Sequence, residues 1–143
     1  MKKTAIVIVF ALPVMVMANT FETKIEARKT AFSGIETGLE SVDDLIDGRN
    51  TDWQEMINVS QTLVTHGNTL ETAFPSGSKE GSKAKSDIWD KPEKFNSLLN
   101  KMVVSFDQLS LASQNEDSKM AKNALKQAES TCRSCHRSYR SRW

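Results

Sequence analysis

Cysteine and histidine are scarce in this chain, two of each in 143 residues, and His66 stands far from the rest. That excludes a four-ligand zinc site built from these side chains. The βαβ pattern that surrounds a redox-active Cys-x-x-Cys in disulfide-exchange proteins is missing, and no strand-like alternation competes with helix anywhere. Neither sign of charge dominates: the formal net charge is +1, which gives no support to nucleic-acid binding. No apolar run is long enough for a comfortable membrane span; the longest extends from Ala5 to Met17. Nucleophile–base pairs and paired carboxylates are absent as well, so an enzyme is not expected.

What is present begins with that apolar run. Lys2 and Lys3 precede it, and Val16, Met17 and Ala18 occupy the cleavage-site positions, the order of a secretory signal peptide. Residues 1–18 are expected to be removed on export, leaving one domain at 19–143. Cleavage takes away two of the 19 Lys and Arg and none of the 18 Asp and Glu, so the mature chain carries a formal charge of about −1. Its apolar content, 38% over the whole chain, suffices for a small core.

The mature sequence divides into four helical patterns. Phe21, Ile25, Arg28, Phe32, Ile35, Leu39, Val42 and Ile46 alternate steps of four and three, one long amphipathic helix that Gly48 should stop. Thr51 with Gln54 suggests a capping box for a second helix, whose inward positions are Met56, Val59, Leu63, His66 and Leu70. Periodicity is lost between Phe74 and Trp89, where Pro75, Gly77 and Gly81 mark a long connection. Asp90, Pro92 and Glu93 announce a third helix with the stripe Phe95, Leu98, Leu99, Met102, Phe106 and Leu109, fading near Ser113. Asn115 is the expected cap of the last helix, with Glu116 and Asp117 in its first turn and Arg137, Arg140 and Arg142 in its last turns. Two short connections and one long one describe an all-α, antiparallel four-helix bundle, an architecture that builds ligand sites in its core.

The last thirteen residues, TCRSCHRSYRSRW, contain both cysteines. Cys132, Cys135 and His136 form the Cys-x-x-Cys-His signal for c-type haem attachment. On a helix the two sulfurs and the imidazole leave from one face, so the thiols can add to the haem vinyl groups while His136 reaches the iron as proximal ligand. One covalent haem c, bound through Cys132 and Cys135, is therefore the expected cofactor. Arg28 raises a separate question, because a charge on a core-facing seam needs an anion, unless it reaches Glu26 or water at the surface. His66 shares the inward stripe of the second helix and is more readily a core group than a ligand. Gly34 and Gly38 serve close packing or nothing, and Tyr139 and Trp143 could lie on a porphyrin edge or simply in the core.

Three stretches, ARKTAF at 27–32, AFPSGSKEGSKAKSDIW at 73–89 and CRSCHRSYR at 132–140, resemble cytochrome c′, the class II c-type cytochromes. Their Cys-x-x-Cys-His lies near the C-terminus of a four-helix bundle. The resemblance implies that Arg28 pairs with a haem propionate, that Phe32 stands over the distal face, and that Arg140 lies near the proximal pocket. Low-spin relatives use a methionine of the first helix as sixth ligand, and no methionine occurs between Asn19 and Glu55. The implied function is a periplasmic, high-spin, five-coordinate haem protein that binds nitric oxide or carbon monoxide, or transfers electrons. A low-spin six-coordinate form acting purely as a one-electron carrier is the alternative. The resemblance also implies an unknown periplasmic redox partner and a homodimer formed through the first two helices, with a monomer equally open.

Overall fold

The computed structural model describes residues 15–46 and 50–142, with side chains from Phe21 onward. Most of the expected signal segment, the Gly48 stop and Trp143 lie outside the described residues. Five helices follow in order: α1 (Met15–Ile46), α2 (Trp53–Glu71), a single turn α3 (Asp87–Asp90), α4 (Pro92–Gln114) and α5 (Ser118–Tyr139). The four long ones form the bundle, each packed on its neighbour in sequence, and the ring closes where α1 meets α5. That last seam is the sparsest of the four. Among the described residues there is no strand, and no helix is long and apolar enough to cross a membrane.

The core is the inward face that the periodicity outlined. Ala31, Ile35, Val42 and Ile46 of α1 meet Met56, Leu63 and Leu70 of α2 and Phe95, Leu99, Met102, Phe106 and Leu109 of α4, and Ile25 is buried as well. Phe21, Phe32, Leu39 and Val59 are only half-buried. From α5 come chiefly Ala121, Ala124, Leu125 and Ala128. Small side chains give this helix a thin face, so its backbone lies close against α4. Phe106 is fully buried at the centre, which stabilises the fold by about 3 kcal/mol from apolar burial alone.

Helix ends depart from the expected caps, each by one or two residues. Asp52, not Thr51, caps α2, its carboxylate accepting from the Glu55 amide at 3.0 Å. Asp90 closes α3 rather than opening α4: the ring of Pro92 forces Lys91 out of helical geometry, so α4 starts at Pro92 without a side-chain cap. Asn115 ends α4, and Asp117 caps α5 by accepting from the Met120 amide at 2.9 Å. Between them Glu116 sits at φ 53°, while the Asp117 amide donates to Ala112 O and the Glu116 amide to Ser113 O. This is a Schellman turn with glutamate where glycine is usual. Helix α5 ends at Tyr139, so Arg140 is its C-cap and Arg142 lies beyond it.

Residues 72–86 run back across one end of the bundle. Ala84 forms a single antiparallel bridge with Arg140, the Lys85 amide donates to Tyr139 O at 2.9 Å, and the Ser141 amide to Lys83 O at 2.8 Å. The loop thus straps the chain's last turn down beside the cysteines.

Candidate cofactor site

On α5 the buried stripe of Ala121, Ala124, Leu125 and Ala128 continues at the same spacing into Cys132, Cys135 and Tyr139, all half-buried. The motif therefore occupies core positions at the end of a core face. Both thiols are unpaired. Burial pushes the Cys135 thiol up to about 11, with Cys132 adding to the shift, and burial also raises Cys132. Each is protonated at neutral pH. His136 emerges at the edge of the stripe, exposed as a whole, with its ring against that of Phe32 from α1 at 6.4 Å between centroids. Partial burial first and the Arg140 cation second lower its pKa, against a smaller pull upward from Glu36. The imidazole is held neutral, the form that ligates metals.

An aromatic wall backs this end of the bundle. Phe74 lies 6.4 Å from Phe32 and 4.8 Å from Phe95, and Phe95 lies 5.3 Å from Tyr139, all edge to face. The Trp89 indole N–H holds the loop that carries Phe74, donating to the carbonyls of Phe74 and Pro75.

Arg28 is 4% exposed and has no carboxylate partner among the described residues; Glu26 pairs with Lys29 instead, at 2.7 Å. Its guanidinium lies 4.7 Å from the Phe74 ring centroid. Nη1 donates to Ser78 Oγ at 3.2 Å and Nη2 to Ser78 O at 2.6 Å. Gly77, at φ 87°, makes the left-handed turn that carries Ser78 inward. Burial depresses the Arg28 pKa. A guanidinium has five N–H donors, of which these contacts use two, so a buried cation with spare donors stands ready for an anion.

His66 is elsewhere. It packs on Gly34, where an added Cβ would fall 2.2 Å from its Nε2, and Gly38 is pressed in the same way by Leu63. The two glycines thus let α2 approach α1 within the chain. Gly34 and Phe32 are two positions apart on α1, so His66 and His136 touch opposite sides of that helix. The open groove beside His66, lined by Thr30, Ser33, Thr37, Asn58 and Thr62, holds none of the α5 motif.

Arg28, Phe32, Cys132, Cys135, His136 and Arg140 are brought to one end of the bundle, across the α1–α5 seam. Phe74 and Ser78 complete the group and were not singled out from the sequence. Their only signal was the abrupt Phe-Pro at 74–75 and the glycine before Ser78.

A model of the Cytochrome C′ family matches residues 23–140. Cytochrome c-556 from Agrobacterium tumefaciens (strain II Chrys) is 32% identical over 79 residues, 55% of this chain; the match spans 64% of that relative's length. Cytochrome c′ from Rubrivivax gelatinosus superposes with a TM-score of 0.76 at 24% identity, over 82% of this chain and 94% of that one. The nitric oxide complex of a variant cytochrome c prime from Alcaligenes xylosoxidans gives 0.77 at 20% identity, over 85% and 97%. These two likenesses speak for the fold.

Proposed function

The chain belongs to the cytochrome c′ family, four-helix-bundle proteins that carry haem c covalently, and from that premise we propose a high-spin, five-coordinate haem protein that binds nitric oxide or carbon monoxide and passes single electrons. When bound, haem c supplies an iron that exchanges one electron and accepts a diatomic ligand. The residues fit the group: two protonated thiols and a neutral imidazole share one helix end, and a buried cation without a carboxylate lies across the seam. Cys132 and Cys135 would hold the porphyrin by thioether bonds, His136 the iron and Arg28 a propionate. Arg140 disfavours the imidazolium of His136.

One observation carries the five-coordinate reading. The side chain that faces His136 from α1 is Phe32, which has no ligating atom, while His66 touches the other side of that helix. With haem held by His136, Phe32 would present an apolar ring to the ligand side, exclude water and crowd an incoming diatomic ligand. Absorption and electron paramagnetic resonance of the haem-loaded protein, ferric and ferrous, with and without nitric oxide, test this. A high-spin ferric signal and a clear response to nitric oxide are expected. A low-spin spectrum indifferent to nitric oxide would leave only the electron carrier, and absence of haem would overturn the whole.

The mature domain, residues 19–143, would act in the periplasm, which N-terminal sequencing of the exported protein checks. A second copy would pack on the outer faces of α1 and α2, and sedimentation equilibrium reads whether it does.

A further inference from the structure

The mature chain is almost neutral, yet its cations are not spread evenly. The strap and the C-terminal segment carry Lys79, Lys83, Lys85, Arg137, Arg140 and Arg142. The bridge between Ala84 and Arg140 sets Lys83 and Lys85 directly against residues 139–141, and Lys85 Nζ lies 3.5 Å from Arg137 O. All but half-buried Lys85 are exposed, and among the described residues none forms an ion pair with a carboxylate. Glu80 and Asp87 are the acidic residues of this stretch and do not balance it, so the rest of the mature chain is correspondingly acidic. The ridge adjoins the cofactor site, because Arg137 follows His136 and the Arg140 amide donates to His136 O at 3.2 Å.

We propose that this ridge is a docking surface for an electron-transfer protein that presents a carboxylate-rich face. A like-signed cluster left unpaired at one end of a neutral molecule makes a local field that selects and orients an anionic partner. Its position beside His136 brings that partner to the redox end of the bundle. An anionic membrane is the poorer occupant: among the described residues the large exposed apolar side chains are Val104 and Leu111 on α4, so the ridge has nothing to insert. The inference rests on haem being held at Cys132, Cys135 and His136.

The test uses the haem-loaded protein and two probes. In the first, hexacyanoferrate(III) oxidises the ferrous protein by one electron, giving ferric protein and hexacyanoferrate(II), with no proton or bond exchanged. The net charge, about −1 for the chain and more negative once the two haem propionates are added, predicts a rate that rises with ionic strength, whereas the ridge predicts a rate that falls. Lys83→Glu with Lys85→Glu should slow the reaction about tenfold at low salt and flatten the slope, while the remote pair Lys101→Glu with Lys122→Glu leaves the falling slope in place. In the second, a fluorescein-labelled octaglutamate peptide should gain anisotropy with the wild type and lose it with the strap pair. A rising slope, equal effects of the two pairs, or capture of the protein by phosphatidylglycerol vesicles but not by the peptide would overturn the proposal. A wild-type protein that takes up no haem yet still binds the peptide would instead show the functional reading to be at fault.

Discussion

Replacing Arg28 by methionine separates the two roles open to a buried cation. In the haem-free chain, made by Cys132→Ser and Cys135→Ser, the change removes two hydrogen bonds to Ser78 and the contact with Phe74. Charge-assisted hydrogen bonds contribute about 1.5–3 kcal/mol each, and the ring contact about 1 kcal/mol. Against them stand the several kcal/mol needed to bury a guanidinium with no counter-anion, and the 2 kcal/mol or so that a buried methionine contributes. Ser78 Oγ keeps its bond to Pro75 O, so only the Ser78 carbonyl is left short. The opposing terms nearly cancel, and the haem-free chain should change by no more than about 1 kcal/mol. In the haem-loaded protein a propionate would lose its cation inside the bundle, which costs about 3–5 kcal/mol. Urea denaturation of both forms, with and without the substitution, measures the difference. A gap of 2 kcal/mol or more is expected; equal losses would refute the reasoning and leave Arg28 serving the loop alone.

Three further outcomes follow from the geometry. Phe32→Met puts a ligating sulfur opposite His136, so the ferric spectrum should pass from high-spin to low-spin and the response to nitric oxide should shrink at least tenfold, read by absorption. In the haem-free double serine variant the thiol contribution disappears, which isolates it: the folded Cys135 pKa is raised to about 11, so the native state holds its proton longer than the unfolded chain does. Stability from that thiol is complete below about pH 8.5, falls as pH rises towards 11, and is missing from the variant; thermal unfolding of the two haem-free chains across that range shows it. Glu116→Gly relieves a left-handed residue in the α4–α5 turn without touching its hydrogen bonds, and should stabilise the protein by about 1 kcal/mol, a rise in Tm of about 4 °C by calorimetry.

Where a single helix face carried the information, the sequence was readable. The four-three spacing from Phe21 to Ile46 placed Arg28 and Phe32 on one side of α1, and the continuation of the alanine stripe into Cys132 and Cys135 needs only the helical period. Cap positions were read less well, because several residues with capping chemistry stand together. Thr51 and Asp52, or Asn115 and Asp117, compete on nearly equal terms, and Pro92 decides its own case by steric exclusion of Lys91. Ser78 and Phe74 were hidden for another reason. Each acts by a contact some fifty residues away across an aperiodic loop, and no local pattern marks such a contact. The side of α1 that His66 faces was similarly open, since its inward stripe touches both flanks of the helix, and the closeness of Gly34 settles it.

The strap fastens residues 83–85 to 139–141 at the far end of the chain, and that placement bears on the order in which the protein is made. A chain exported N-terminus first, as the proposed periplasmic location requires, would deliver α1, α2 and α4 before any part of the attachment motif. Three helices can then gather around Phe106 and leave a vacant fourth place, because their mutual contacts do not involve α5. Helix α5 would follow them, with its two thiols near its trailing end, so a prosthetic group could be joined only after the other three helices had emerged. Premature closure of α5, with the strap locked over it, would bury the sulfurs against the aromatic wall. On the proposed reading, the timing of covalent attachment relative to that closure would set the yield of mature protein.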